Sequence, residues 1–140
     1  MVMKHHPAHK KIVLIDDDTD FLELCAKRLR HHGFHVELFD DPAAAMKAIR
    51  SERPDLVISD VKMPGLNGFE VCDCLRSQTK TSQVPIILMT GLKDKRQYVE
   101  SLNVGRIYFL TKPFESDEFL STIRTALDDS IQFEEHLTKI

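Results

Sequence analysis

The chain has 140 residues, 42% of them hydrophobic and 29% charged, with a net charge of −3. That length suits one domain with its own core, and the acidic balance argues against a chain built to coat nucleic acid or an anionic membrane. No apolar run approaches the roughly 18 residues that a membrane helix needs.

The opening "MVMKHHPAHKK" is polar and carries His5, His6 and His9, so residues 1–9 read as a solvated or tag-like terminus rather than a signal peptide. Cys72 and Cys74 form a C-x-C with no second pair to complete a zinc site, and Cys25 stands apart. A cytoplasmic protein with reduced thiols is the expectation.

"KIVLI" (11–15) is a short aliphatic run and reads as a strand buried on both faces. In "DTDFLELCAKRLRHHG", Phe21, Leu22, Cys25, Ala26 and Leu29 recur at helical spacing, and Gly33 supplies the stop. "FHVELF" (34–39) alternates apolar and polar residues, which predicts a less buried strand. A second helix follows, with Asp41 as N-cap, Pro42 at its first position and Ala45, Met46 and Ile49 as its apolar stripe. Pro54 breaks it, and "DLVIS" (55–59) is a buried strand that Asp60 ends. "VKMPGLNG" (61–68) is a loop, and "FEVCDCLRS" (69–77) is a short helix presenting Phe69, Val71, Cys72 and Leu75. "VPIILMT" (84–90) is a fourth strand, "KDKRQYVESLNVG" (93–105) a weak helix and "RIYFLT" (106–111) a fifth strand, after which "KPFESDEF" turns into a last helix.

Short aliphatic strands alternating with helices predict an α/β fold, a doubly wound (βα)5 sandwich around a five-stranded parallel sheet. Ligands of such folds bind beyond the carboxyl ends of the strands. Asp16 and Asp17 end the first strand, Asp60 the third, Thr90 the fourth, and Lys112 the fifth. One aspartate after a strand is often only a helix cap, and Asp18 and Asp20 read equally well that way. Four segments delivering carboxylates, a hydroxyl and an ammonium to one sheet edge is a far more specific pattern.

Carboxylates so close together either take up a proton or share a cation. Hard oxygen donors of this kind suit Mg²⁺, an ion that also binds phosphate oxygens. Asp60, at the junction of strand and loop, can act as a nucleophile and form an acyl phosphate, with Thr90 and Lys112 placed to pair with phosphoryl oxygens. The parts amount to phosphoryl transfer onto an aspartate.

"LIDDD", "SDVKMPGLNG", "ILMTG" and "FLTKPF", in this order and spacing, resemble the receiver domain of two-component response regulators, a CheY-like, flavodoxin-like fold; the likeness covers roughly residues 10–127. The resemblance implies that Asp60 accepts a phosphoryl group from a phosphohistidine on a sensor histidine kinase or histidine phosphotransfer protein. It implies a Mg²⁺ site (Mn²⁺ as a substitute) made by Asp16, Asp17, Asp60 and the backbone carbonyl of Lys62. It also implies that Lys112 contacts the phosphoryl group, followed by a cis peptide to Pro113. Thr90 and Phe109 would form the switch: the hydroxyl moves toward the new anion and the ring fills the vacated space. That remodels the surface made by the fourth helix, fifth strand and last helix. The plainer reading of Phe109 is core packing, and Tyr108 should then face the other side of the sheet.

Three positions depart from the commoner pattern. Lys62 beside the phosphoryl site and apolar Leu92 are expected to alter autodephosphorylation, and Arg106 is expected simply to point to solvent. The tail spaces Phe119, Ile123, Ala126, Ser130, Phe133, Leu137 and Ile140 like heptads, so residues 128–140 read as an extension of the last helix. It would serve as a linker or coiled-coil start, leading to a second copy or an output domain. Direct contact with nucleic acid or membrane is not expected.

Three rival functions have a basis in the residues. Asp16 and Asp18 have the D-x-D spacing of aspartyl-nucleophile phosphatases, but the Pro-Gly loop after Asp60 would then be unexplained. Asp16, Asp18 and Asp20 echo a calcium loop, yet its sixth and twelfth positions would be Phe21 and Lys27. The third is a receiver-like binding module that is never phosphorylated.

Overall fold

A computed structural model describes residues 10–91 and 106–139, with side chains as far as residue 129. His5, His6, His9, Leu92 and the weak helix expected at 93–105 lie outside the described residues.

The elements are β1 (Lys11–Ile15), α1 (Thr19–His31), β2 (His35–Phe39), α2 (Pro42–Ser51), β3 (Leu56–Asp60), α3 (Gly68–Arg76), β4 (Ile86–Thr90), β5 (Ile107–Thr111) and α4 (Ser116–Lys139). All five strands are parallel, in the order β2-β1-β3-β4-β5. The chain winds outward in both directions from β1 and β3, so helices cover both sheet faces.

Alternation along the strands divides the core in two. Ile12 and Leu14 of β1, Ile58 of β3 and Ile87 of β4 pack with Leu22, Cys25, Ala26 and Leu29 of α1 and with Phe119 and Ile123 of α4. Val13, Ile15, Val57, Ile86 and Leu88 face the other way, onto Ala45, Met46 and Ile49 of α2 and Val71, Cys72 and Leu75 of α3. Each of the apolar stripes expected for α1, α2 and α3 is largely buried, although Phe21 and Phe69 are only half-buried.

The helix starts follow from local hydrogen bonding. The Asp18 carboxylate accepts from the Phe21 amide and Asp41 from Ala43, each satisfying an amide that has no helical partner. Asn67 and Glu70 form a reciprocal capping box at α3, with contacts of 2.9 and 3.0 Å. Gly33 adopts φ 90° after α1, a conformation that glycine takes without a steric cost.

Arg106 corrects one expectation. It is half-buried, with φ 66°, and does not simply point to solvent. Its Nη1 donates to the Gln83 carbonyl at 3.1 Å. Its own carbonyl accepts from the Ile86 amide at 3.0 Å and from Arg76 Nη2 at 3.1 Å. These bonds tie the entrance of β5 to that of β4.

Gly68 fixes how closely α3 approaches β3. Its amide donates to the Val61 carbonyl at 2.9 Å. A Cβ there would collide with the Asp60 backbone oxygen and lie 2.9 Å from the Val61 Cα. Only a glycine lets the helix start against the segment that carries Asp60. Gly68→Ala is expected to destabilise the fold by about 1–3 kcal/mol, read as a lower midpoint in urea unfolding.

Candidate functional site

Parallel register brings the acidic residues together. Ile15 of β1 pairs with Ser59 of β3, so Asp16 and Asp60 leave the sheet at the same level. Thr90 pairs with Thr111, and the Lys112 amide donates to the Thr90 carbonyl at 3.1 Å, which carries the β4–β5 ladder to the same edge. All of the polar residues picked out at strand ends therefore meet where the sheet stops.

Asp16, only 1% exposed, is a buried carboxylate and requires partners. Among the described residues it has Lys112 Nζ at 2.9 Å and the Asp18 amide at 3.0 Å. Lys112 Nζ also lies 3.4 Å from Asp60 Oδ1, so one ammonium spans both carboxylates. Asp17 completes the group, is exposed, and offers an oxygen within 4.8 Å of those of Asp16 and Asp60. Three hard oxygen donors so close fit one small divalent cation, with Asp17 open to water for the ligands such an ion keeps.

The electrostatics follow from this crowding. Burial, then the negative charge of Asp16, pushes the Asp60 carboxyl above its ordinary value, against the pull of Lys112. Burial alone would lower Lys112, but its bond to Asp16 and the Asp60 charge outweigh that and raise it. The Cys25 thiol is pushed up to about 11, by burial and then by Asp16, and stays protonated at neutral pH.

Thr90 is buried and its hydroxyl donates to the Gly91 carbonyl at 3.1 Å. It lines a cleft of about 210 Å³ together with Asp60, Val61, Lys62, Met89, Gly91 and Lys112. The Lys62 side chain is exposed at the rim of this cleft. Leu88 lies opposite Phe109 and Thr90 opposite Thr111, so Thr90 and Phe109 share one sheet face, one pair apart. Phe109 is half-buried against the α2–α3 side of the core, while Tyr108 faces the α1–α4 side, as alternation requires. The Lys112–Pro113 peptide is cis.

Of the other carboxylates, Asp18 caps α1 and Asp20 sits exposed in its first turn, where a negative charge favours the helix dipole. With Asp18 turned to the cap and Asp16 bonded to Lys112, the D-x-D pair does not converge on a common centre. Sequence reading missed three residues around the site. The Pro-Gly pattern puts Asn67 in a loop, although "NGFE" (67–70) carries a capping-box signature. Gly68 reads as loop punctuation, yet it is the first residue of α3. Phe21 has the spacing of the helix stripe, yet the centroid of its ring lies 4.4 Å from Lys112 Nζ, a contact that no spacing announces.

The raised carboxyl of Asp60 sets the sign of a stability effect. A group that binds its proton more readily in the folded state destabilises the fold as pH rises above its unfolded value. Asp60→Asn should therefore melt higher than wild type at pH 7 without divalent cations, by about 2–5 °C. That gain should vanish as pH falls below about 4, where the unfolded carboxylate protonates. Calorimetry across this range checks both.

The sequence profile of the response regulator receiver domain matches residues 12–124. The DNA-binding response regulator MtrA of Mycobacterium tuberculosis is 36% identical over 118 residues, covering 84% of this chain and 50% of the relative. The response regulator MprA of Mycolicibacterium vanbaalenii is 38% identical over 117 residues, with the same shares. The chain thus spans about half the length of these relatives. Among solved structures, Vibrio cholerae chemotaxis protein CheY4 superposes with a TM-score of 0.77 at 30% identity, covering 86% of this chain and 100% of that one. Full-length FixJ of B. japonicum gives 0.77 at 36% identity, covering 88% of this chain and 60% of that one. Among the described residues no helix is long and apolar enough to cross a membrane. With its five-stranded sheet and its acidic strand ends, the chain belongs to the response regulator receiver domain family of two-component signalling.

Proposed function

We propose that this receiver domain takes a phosphoryl group onto Asp60 from a phosphohistidine of a sensor histidine kinase or a histidine phosphotransfer protein. The observation that carries this reading is the meeting of Asp16, Asp17 and Asp60 at one sheet edge, with Lys112 joining two of them.

An Asp60 carboxylate oxygen attacks phosphorus as the P–N bond of the phosphohistidine breaks. The bond electrons leave with the imidazole nitrogen, and a P–O bond to Asp60 forms. Lys112 shifts from the Asp60 carboxylate to a phosphoryl oxygen while keeping its bond to Asp16. The Thr90 hydroxyl exchanges the Gly91 carbonyl for a second phosphoryl oxygen. Asp16, Asp17, Asp60 and the Lys62 carbonyl would hold Mg²⁺, or Mn²⁺ in its place, which when bound supplies neutralisation of the phosphoryl charge.

Thr90 and Phe109 then act as the switch. Movement of Thr90 opens space on the face that it shares with Phe109, and the half-buried ring turns into it. The response is read on the surface around β5 and α4; the fourth helix expected at 93–105 lies outside the described residues. Residues 10–127 make up the receiver in this reading. The part of α4 from residue 128 onward leads to a second copy or to an output domain. MtrA is named as DNA-binding, but within these 140 residues no contact with nucleic acid is assigned. A cytoplasmic setting supplies both Mg²⁺ and the phosphohistidine donor.

Incubation with acetyl phosphate and Mg²⁺ should add one phosphoryl group to the wild-type chain, seen by intact mass. Asp60→Asn should take up none, chelation should abolish uptake, and Asp17→Asn should slow it by roughly tenfold or more. Uptake by Asp60→Asn at the wild-type rate would overturn the assignment.

A further inference from the structure

We propose that Phe21 is a positioning residue for Lys112: its ring face holds the ammonium between Asp16 and Asp60, ready to transfer to the phosphoryl group. The proposal rests on the reading of Lys112 as a phosphoryl partner.

Among the described residues Lys112 Nζ has three attractive neighbours. Asp16 Oδ2 lies at 2.9 Å, Asp60 Oδ1 at 3.4 Å, and the centroid of the Phe21 ring at 4.4 Å. An ammonium over a ring face is drawn to the negative side of the aromatic quadrupole. Phe21 stands in the first turn of α1, five residues after Asp16, so the helix that starts from the acidic tip also delivers the ring.

The ring is itself held in place. Phe21 meets Phe114 edge to face, with centroids 5.8 Å apart at 74°. Phe114 stacks on Phe119 at 5.2 Å and 24°, and Phe119 is 2% exposed in the core under α4. Three rings thus run from the core to the ammonium, joining α1, the segment after β5, and α4. Aromatic pairs of this geometry favour defined orientations, which keeps the Phe21 face toward Lys112.

A ring suits this position better than another polar group. A third carboxylate would compete with the phosphoryl group for Lys112, and a hydroxyl would draw off one of its N–H donors. The ring attracts the cation without using a hydrogen bond, so the ammonium can exchange Asp60 for a phosphoryl oxygen while its third neighbour stays in place. Leucine at this position would fill similar volume but carry no quadrupole.

The test combines NMR of the whole unphosphorylated chain with phosphorylation by acetyl phosphate and Mg²⁺, which requires no kinase docking. In wild type, the ε-methylene protons of Lys112 should lie upfield of the other lysines through the ring current of Phe21. In Phe21→Leu they should return to the common lysine position, and phosphorylation should slow by roughly two- to tenfold. Phe21→Tyr should restore both the upfield shift and the rate. Lys112 protons among the ordinary lysine signals in wild type, or an unchanged rate in Phe21→Leu, would overturn the proposal. Should leucine unfold the chain, the wild-type shift decides alone. A wild-type chain that takes up no phosphoryl group would refute the reading of Asp60, while the ring-current shift still judges Phe21.

Discussion

The fold sets three carboxylates against one another at the edge of its sheet and balances them with one ammonium. Asp16 is buried, and its bonds to Lys112 and to the Asp18 amide make that burial tolerable. Asp60 remains partly uncompensated, because Lys112 is shared and Asp16 adds its own charge. The site therefore has an excess of negative charge at rest, which suits it to a cation and to chemistry that consumes a carboxylate charge.

The sheet keeps this arrangement in register and connects it to the rest of the molecule. Neighbouring residues of β5 face opposite layers, Phe109 toward α2 and α3, Tyr108 toward α1 and α4. The Tyr108 hydroxyl donates to Asp129 at 2.6 Å, which ties β5 to α4, a helix that runs as far as Lys139. A rearrangement on one face of β5 is therefore adjacent to a strand–helix link on the other. Gly68 does a similar service on the β3 side, letting α3 start directly against the Asp60 segment.

Much of this was legible in the chain. The aliphatic strands, the helix stripes and the Asp41–Pro42 start follow from periodicity and capping, which are local. The acidic edge was legible too, because parallel strands put every carboxyl end on one side and make linear spacing translate into proximity. What escaped were features set by close tertiary approach. Phe21 has the spacing of a core residue, and nothing in the order of residues says that its ring will meet Lys112 from the far end of the chain. Sequence alone directs Arg106 to solvent, but the entrances of β4 and β5 come close enough for its backbone and guanidinium to bridge them. Asn67 differs, since its capping partner Glu70 lies only three residues away and the pairing is local.

Phosphorylation is proposed to esterify Asp60 and no other carboxylate of the cluster. An acyl phosphate can be trapped by borohydride, which reduces the phosphorylated aspartate to homoserine, and peptide mapping then reads the position. Homoserine at position 60 alone is the expected result. Homoserine at Asp16 or Asp17, or none anywhere in a chain that has gained a phosphoryl group, would contradict it.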